Sequence, residues 1–105
     1  MDQNLLKNRR LELDAIFKEL CPNVYFEPPS TVRMSYPAIR YRRANVDTLF
    51  ADNLPYKLTS GFEVTLITRD PDEPLIEKIA SLPMCRFNRP YVAENLHHFV
   101  YLIYY

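Results

Sequence analysis

A single glycine, Gly61, stands in this chain of 105 residues against nine prolines. That count limits the fold and the chemistry together. Glycine-rich phosphate loops and dinucleotide fingerprints need several glycines at fixed spacing, so those nucleotide-binding folds are excluded. A nucleophile elbow is excluded for the same reason, which leaves Ser30, Ser35, Ser60, Ser81 and the two cysteines without a recognisable catalytic setting. The chain must instead turn at proline, asparagine and aspartate, and the segments between those breaks carry clear periods.

The first segment, Asn4 to Leu20, places Leu6, Leu13, Ile16, Phe17 and Leu20 at helical spacing with charges between them, and Pro22 follows its end. An amphipathic helix capped by Asp2 or Asn4 is expected, seated through Leu13, Ile16, Phe17 and Leu20. Asn23 to Glu27 is short, β-branched and aromatic and runs into Pro28 and Pro29, as an edge strand or an extended connector would. Tyr36 to Arg43 alternates: Ile39 and Tyr41 face one way, Arg40 and Arg42 the other. Tyr56 to Arg69 alternates again, with Phe62, Val64 and Leu66 opposite Glu63, Thr65 and Ile67, and is expected to be a long central strand.

Between these two strands, Ala44 to Pro55 shows no period and contains Asp47, Asp52, Asn53 and Pro55. It reads as a long loop with Leu49 and Phe50 at its middle, and loops of about 12 residues are uncommon without a task. Asp70 or Asp72 is positioned to cap a second helix of about nine residues through Leu75, Ile76, Ile79 and Leu82, with Pro83 ending it. Met84 to Asn88 reads as a short strand, Arg89 to Asn95 as a turn, and Leu96 to Tyr105 as a strand with apolar residues on both faces. The expected fold is one α+β domain: a largely antiparallel sheet of four to five strands, an N-terminal helix, and a second helix before the last two strands.

Composition narrows the function further. Hydrophobic residues are 48% and charged residues 25%, an ordinary globular balance, and thirteen basic side chains match thirteen acidic ones. A neutral chain has no overall field to hold nucleic acid or an anionic membrane. No apolar stretch approaches the roughly 20 residues that span a bilayer, and the charged first 20 residues do not read as a signal peptide. Cys21 and Cys85 fit free thiols in a reducing compartment. His97 and His98 are adjacent, so on a strand they face opposite ways and cannot chelate one ion, and the cysteines lack metal-ligand spacing. The acids Asp70, Asp72, Glu73 and Glu77 are explained by a helix start. No cofactor, metal or catalytic set is expected, and eight tyrosines favour a role in binding other proteins.

The basic cluster Arg33, Arg40, Arg42 and Arg43, interleaved with Tyr36 and Tyr41, admits three readings. It can be a solvated strand face paired with acids such as Glu63, a subunit contact, or a surface for single-stranded nucleic acid.

The segments SYPAIRYRR, FADNLPYKLTSGFEVTLITRDPDEPLIEKIASLPMCRF and AENLHHFVYLIYY mark the run from about Tyr36 through Tyr105, starting at Ser35, about two-thirds of the chain. They resemble small proteins of the head-to-tail gene region of long-tailed bacteriophages and prophages, and the order of elements fits the tail terminator proteins. The resemblance implies a structural virion protein at the head-tail junction, assembled in the host cytoplasm. It implies a homo-oligomer, a hexameric ring, that caps the tail tube protein and meets the head-tail connector proteins, with DNA only passing through its lumen. A neighbouring adaptor, completion or minor tail protein is the alternative. The family has no active site to carry over. Two strips of this chain are candidate ring contacts: Arg40 and Arg42, against acids drawn from Asp47 and Asp52 with Leu49 and Phe50 beside them, or from Asp72 and Glu77.

Overall fold

The structure is a computed structural model that describes residues 5–51 and 54–105, with side chains described for residues 6–44 and 60–105. Its elements are α1 (Leu5–Leu20), β1 (Val24–Phe26), β2 (Ala38–Ala51), β3 (Leu54–Thr68), α2 (Leu75–Ala80), β4 (Cys85–Ala93) and β5 (Leu96–Tyr104). The strands form one five-stranded sheet in the order β1-β2-β3-β5-β4. Only the β1–β2 pair is parallel; every other pair is antiparallel. The fold is therefore α+β, and β3 is its central strand as the alternation predicts.

Register divides the sheet into two faces. One face carries the row Val24, Ile39, Leu66, Phe99 and the row Phe26, Tyr41, Val64, Tyr101, Phe87. Both helices cover this face, and the core is built from Leu13 and Phe17 of α1, Leu75 and Ile79 of α2, and Ile39, Tyr41, Phe62, Val64, Leu66, Tyr101 and Ile103 of the sheet. Each fully buried aliphatic or phenyl side chain contributes about 1.5–3 kcal/mol. Tyr41 is the hub of this core, with the rings of Phe26, Phe17 and Phe62 centred 4.9, 5.1 and 6.0 Å away. Its hydroxyl donates to Asp14 Oδ1 at 2.6 Å, and Lys18 holds the other carboxylate oxygen at 2.7 Å. Tyr101 solves the same problem by donating to the Ile76 carbonyl at 2.8 Å, which ties α2 to the sheet. Burial, together with the Asp14 partner, raises the Tyr41 hydroxyl pKa far above its usual 10, and burial pushes Tyr101 up to about 12.

Several expectations need correction. Ile16 is only half-buried, and α1 seats through Leu13 and Phe17, four residues apart on its sheet-facing side, with Leu20 packed against the same core as expected. Within the stretch expected as a loop, Ala44 to Ala51 and Leu54 to Pro55 are strand. β2 runs on to Ala51 and β3 starts at Leu54, with pairing from Asn45↔Gly61 to Ala51↔Leu54 and irregularities after Arg43 and Leu49. β1 pairs only as far as Tyr41, and the β5 pairing ends near Ser60 and Gly61, so this ribbon has no third strand beside it. A two-stranded ribbon is held by its backbone ladder and has no sandwiched face to impose alternation, which is why periodicity does not reveal it.

The second helix is shorter than expected, six residues, and Pro74 occupies its N-cap without a side-chain hydrogen bond. Asp70 instead accepts the Asp72 N–H at 2.9 Å in the turn ahead of it, as aspartate does when it caps a turn rather than a helix. Arg89 to Asn95 is mostly strand, not turn. β4 runs to Ala93, and only Glu94 and Asn95 connect it to β5, with φ of 53° and 63°. Positive φ at both central residues is the type I′ hairpin geometry. Pro90 is tolerated because β4 is an edge strand.

The two cysteines are both free thiols. Cys21 is buried with its Sγ donating to the Pro37 carbonyl at 3.3 Å, and burial pushes the Cys85 thiol up to about 11. No helix among the described residues is long and apolar enough to cross a membrane.

Candidate functional site

The face of the sheet opposite the helices carries the charged residues. Its rows, read across the strands, are Ala38, Ile67, His98, Tyr91; then Tyr25, Arg40, Thr65, Val100, Arg89; then Arg42, Glu63, Leu102, Arg86. Among the described residues, four arginines therefore share these rows with one carboxylate, Glu63. Neighbouring strands lie about 4.8 Å apart, which spreads the rows over roughly 15–20 Å. This is an extended surface.

Within it the arginines differ. Arg42 reaches the cross-strand Glu63 through Nη2 at 3.1 Å and Nε at 3.4 Å. The Arg42 side chain is 60% exposed, so this pair fixes orientation and contributes at most about 1 kcal/mol. Arg89 lies over the Tyr91 ring, whose plane stacks on His98 at 4.4 Å and 13°. His98 donates from Nδ1 to the Leu96 carbonyl at 3.1 Å, which fixes its tautomer. Burial, with Arg40 nearby, lowers the His98 pKa below its usual 6.5, so the ring is neutral at pH 7. Arg43 sits on the other face, donating to Ser60 Oγ at 2.8 Å and lying over Phe62.

Two adjoining concavities open on this surface. The first, about 390 Å³, lies over Arg40, Arg42, Glu63 and Thr65 and is bounded by Glu27 and Pro28. The second, about 410 Å³, lies between the segment 28–36 and the β4–β5 hairpin, with Arg40, Ile67 and His98 below and Tyr36 and Tyr91 at its sides. Pro28 and Arg40 line both.

Of the residues singled out in the sequence, Arg40 and Arg42 are brought together on this face. Asp72 and Glu77 are exposed, in the turn before α2 and on α2 itself, so Glu77 belongs to the helix layer on the opposite side of the sheet. Asp47, Leu49 and Phe50 lie in the β2 part of the ribbon, where side chains are outside the described residues, and Asp52 lies outside them altogether. Sequence reasoning missed Arg86, Arg89, Tyr91 and His98 as members of the surface. The signal was present in the alternate positions of β4, but a register shift between Phe87 and Arg89 interrupts the alternation.

No three His, Cys, Asp or Glu side chains converge as a metal-binding group among the described residues. Comparison of the chain with family models, with curated proteins and with solved structures finds no match.

Proposed function

We propose that the chain is a structural subunit of the head-tail junction of a long-tailed bacteriophage, of the tail terminator type. Copies form a ring, six in the family it resembles, that caps the tail tube and meets the head connector, while DNA only passes through the lumen. The observation that carries this reading is the two-sided design of the sheet. One face is sealed by both helices, and the other is left bare with Arg40, Arg42, Arg86 and Arg89, whereas Glu77 is exposed on the helix side.

A ring requires one surface of each subunit to meet a different surface of its neighbour. A pairing of the arginine face with an exposed acid of the neighbour, such as Asp72 or Glu77, suits that contact and sets its register more than its strength. The likeness of Tyr36 to Tyr105 to head-to-tail proteins supports the location, with a neighbouring adaptor, completion or minor tail role as the alternative within the same class. Electron microscopy of tails assembled with and without the protein tests it. A ring at the tail end is expected, lost when Arg40 and Arg42 are both changed to Glu. Complete tails that join heads without this protein overturn the terminator role.

A second reading is favoured by one feature, the Tyr91–His98 stack beside four arginines, which resembles a platform for a single-stranded nucleic acid. A steep loss of DNA affinity with rising salt identifies that function, and its absence removes it.

A further inference from the structure

Three of the four half-buried arginines among the described residues lie over a ring, although the Arg9 Nε is buried without a hydrogen-bond acceptor. Arg9 lies over the Tyr105 ring at 4.7 Å, Arg10 over Phe26 at 4.2 Å, and Arg43 over Phe62 with a hydrogen bond to Ser60. Among the described residues, Arg40 has neither an acceptor nor a ring, although it is half-buried and faces the neutral His98. A guanidinium without an anion keeps its fork of donors free, and that fork matches a carboxylate. We propose that the trough over Arg40 is a carboxylate-recognition site, which takes an aspartate or glutamate side chain carried on an extended segment of a partner protein.

Three observations choose this occupant. The two concavities meet at Arg40 and Pro28, so the trough continues on both sides of the guanidinium and accepts a chain that passes through. Its walls are mixed, with Pro28, Val32, Met34, Ile67 and Leu96 available to apolar flanking residues beside polar groups such as Ser30 and Tyr36. Glu27 borders one concavity and Glu94 the other. A nucleic-acid backbone carries a charge on every residue and would set further phosphates against these glutamates, whereas a lone carboxylate meets only Arg40. Arg42 does not compete, because Glu63 already occupies it. The site does not depend on the phage assignment, and its test uses the isolated chain.

Nuclear magnetic resonance on the full-length protein reads the site directly. The probes are the peptide acetyl-Ala-Val-Glu-Val-Ala-amide, the same peptide with glutamine at the centre, an oligothymidylate and sodium phosphate. The glutamate peptide is expected to shift the Arg40 Nε–H, Ile67 and His98 signals, and the glutamine peptide to bind roughly tenfold more weakly or worse. Arg40→Gln should abolish the difference between the two peptides while its spectrum stays dispersed. Arg40→Lys should keep part of the preference, and Arg86→Gln should leave it intact. Equal binding of the two peptides, no shift at the trough up to the solubility limit, or tighter binding there of oligothymidylate or phosphate overturns the proposal.

Discussion

Truncating Phe17 to alanine tests whether α1 is seated on the sheet through the core residues the geometry assigns to it. Phe17 is fully buried, and its ring meets Tyr41 edge-on at 5.1 Å and 68°. Removing a buried phenyl ring costs about 3–5 kcal/mol, comprising lost transfer free energy and the cavity left behind. The lost edge-to-face contact accounts for about 0.5–1.5 kcal/mol of that. A domain of this size has a total stability of about 5–15 kcal/mol, so Phe17→Ala removes about a fifth or more. Urea unfolding followed by far-UV circular dichroism and tyrosine fluorescence measures it. Ile16→Ala is the internal control: it lies one position away on the same helix but is only half-buried, and should cost about 1–2 kcal/mol. If the two variants lose the same stability, or Phe17→Ala loses less than about 1 kcal/mol, the helix is not seated as described.

The remaining expectations are more local. Hydrogen bonds from Lys18 and Tyr41 outweigh the effect of burial and lower the Asp14 pKa below 3.8, so the stability this carboxylate contributes is present above that pH and is lost as pH falls through the depressed value. Tyr41→Phe should therefore destabilise the protein at neutral pH, by about 1.5–3 kcal/mol for a bond to a charged group, with the difference shrinking in acid unfolding curves below pH 3.8. The His98 signal should titrate below pH 6.5 in a nuclear magnetic resonance pH series, because burial opposes its charged form; its contribution to stability is present above that pH and falls as the ring protonates. Replacing Glu94 with Asn and Asn95 with Gly suits the positive φ of both turn positions and should raise stability by about 1 kcal/mol, read from the same urea curves.

The legible part of the fold is the part where one face is buried. Ile39 and Tyr41 against Arg40 and Arg42, and Phe62, Val64 and Leu66 against Glu63 and Thr65, alternate because helices cover one side of β2 and β3 and nothing comparable covers the other. β4 is exposed along most of its length, so its residues are not sorted by burial, and the irregularity near Asn88 together with Pro90 hides what alternation remains. The turn at Glu94 and Asn95 contains no glycine to announce it. The ribbon at the ends of β2 and β3 escapes for another reason: the two strands pair there with each other, beyond the reach of the β1 and β5 pairings. Arg40 and Arg42 were thus readable as one surface, whereas Arg89, Tyr91 and His98 join them only through the β4–β5 register.

That surface also does something for the fold, which bears on how its function can be tested. Thr65, Ile67 and Val100 are 3%, 3% and 1% exposed although they lie on the face without helices. Register sets Thr65 and Val100 between Arg40 and Arg89 in one row. Arginine stems lie along apolar surface while their heads stay in water, so we attribute this burial partly to the arginines. A bare five-stranded face covered in this way resists stacking against another sheet, yet remains open to a partner with opposite charge. Charge reversal at Arg40 and Arg42 then removes cover as well as charge, since glutamate has a shorter stem. A methionine pair at these positions keeps the apolar length without the charge. If Arg40→Met with Arg42→Met melts like the parent but fails to assemble, the arginines act in recognition. If it assembles normally while the glutamate pair does not, their contribution to the ring is cover for the sheet and not attraction between subunits.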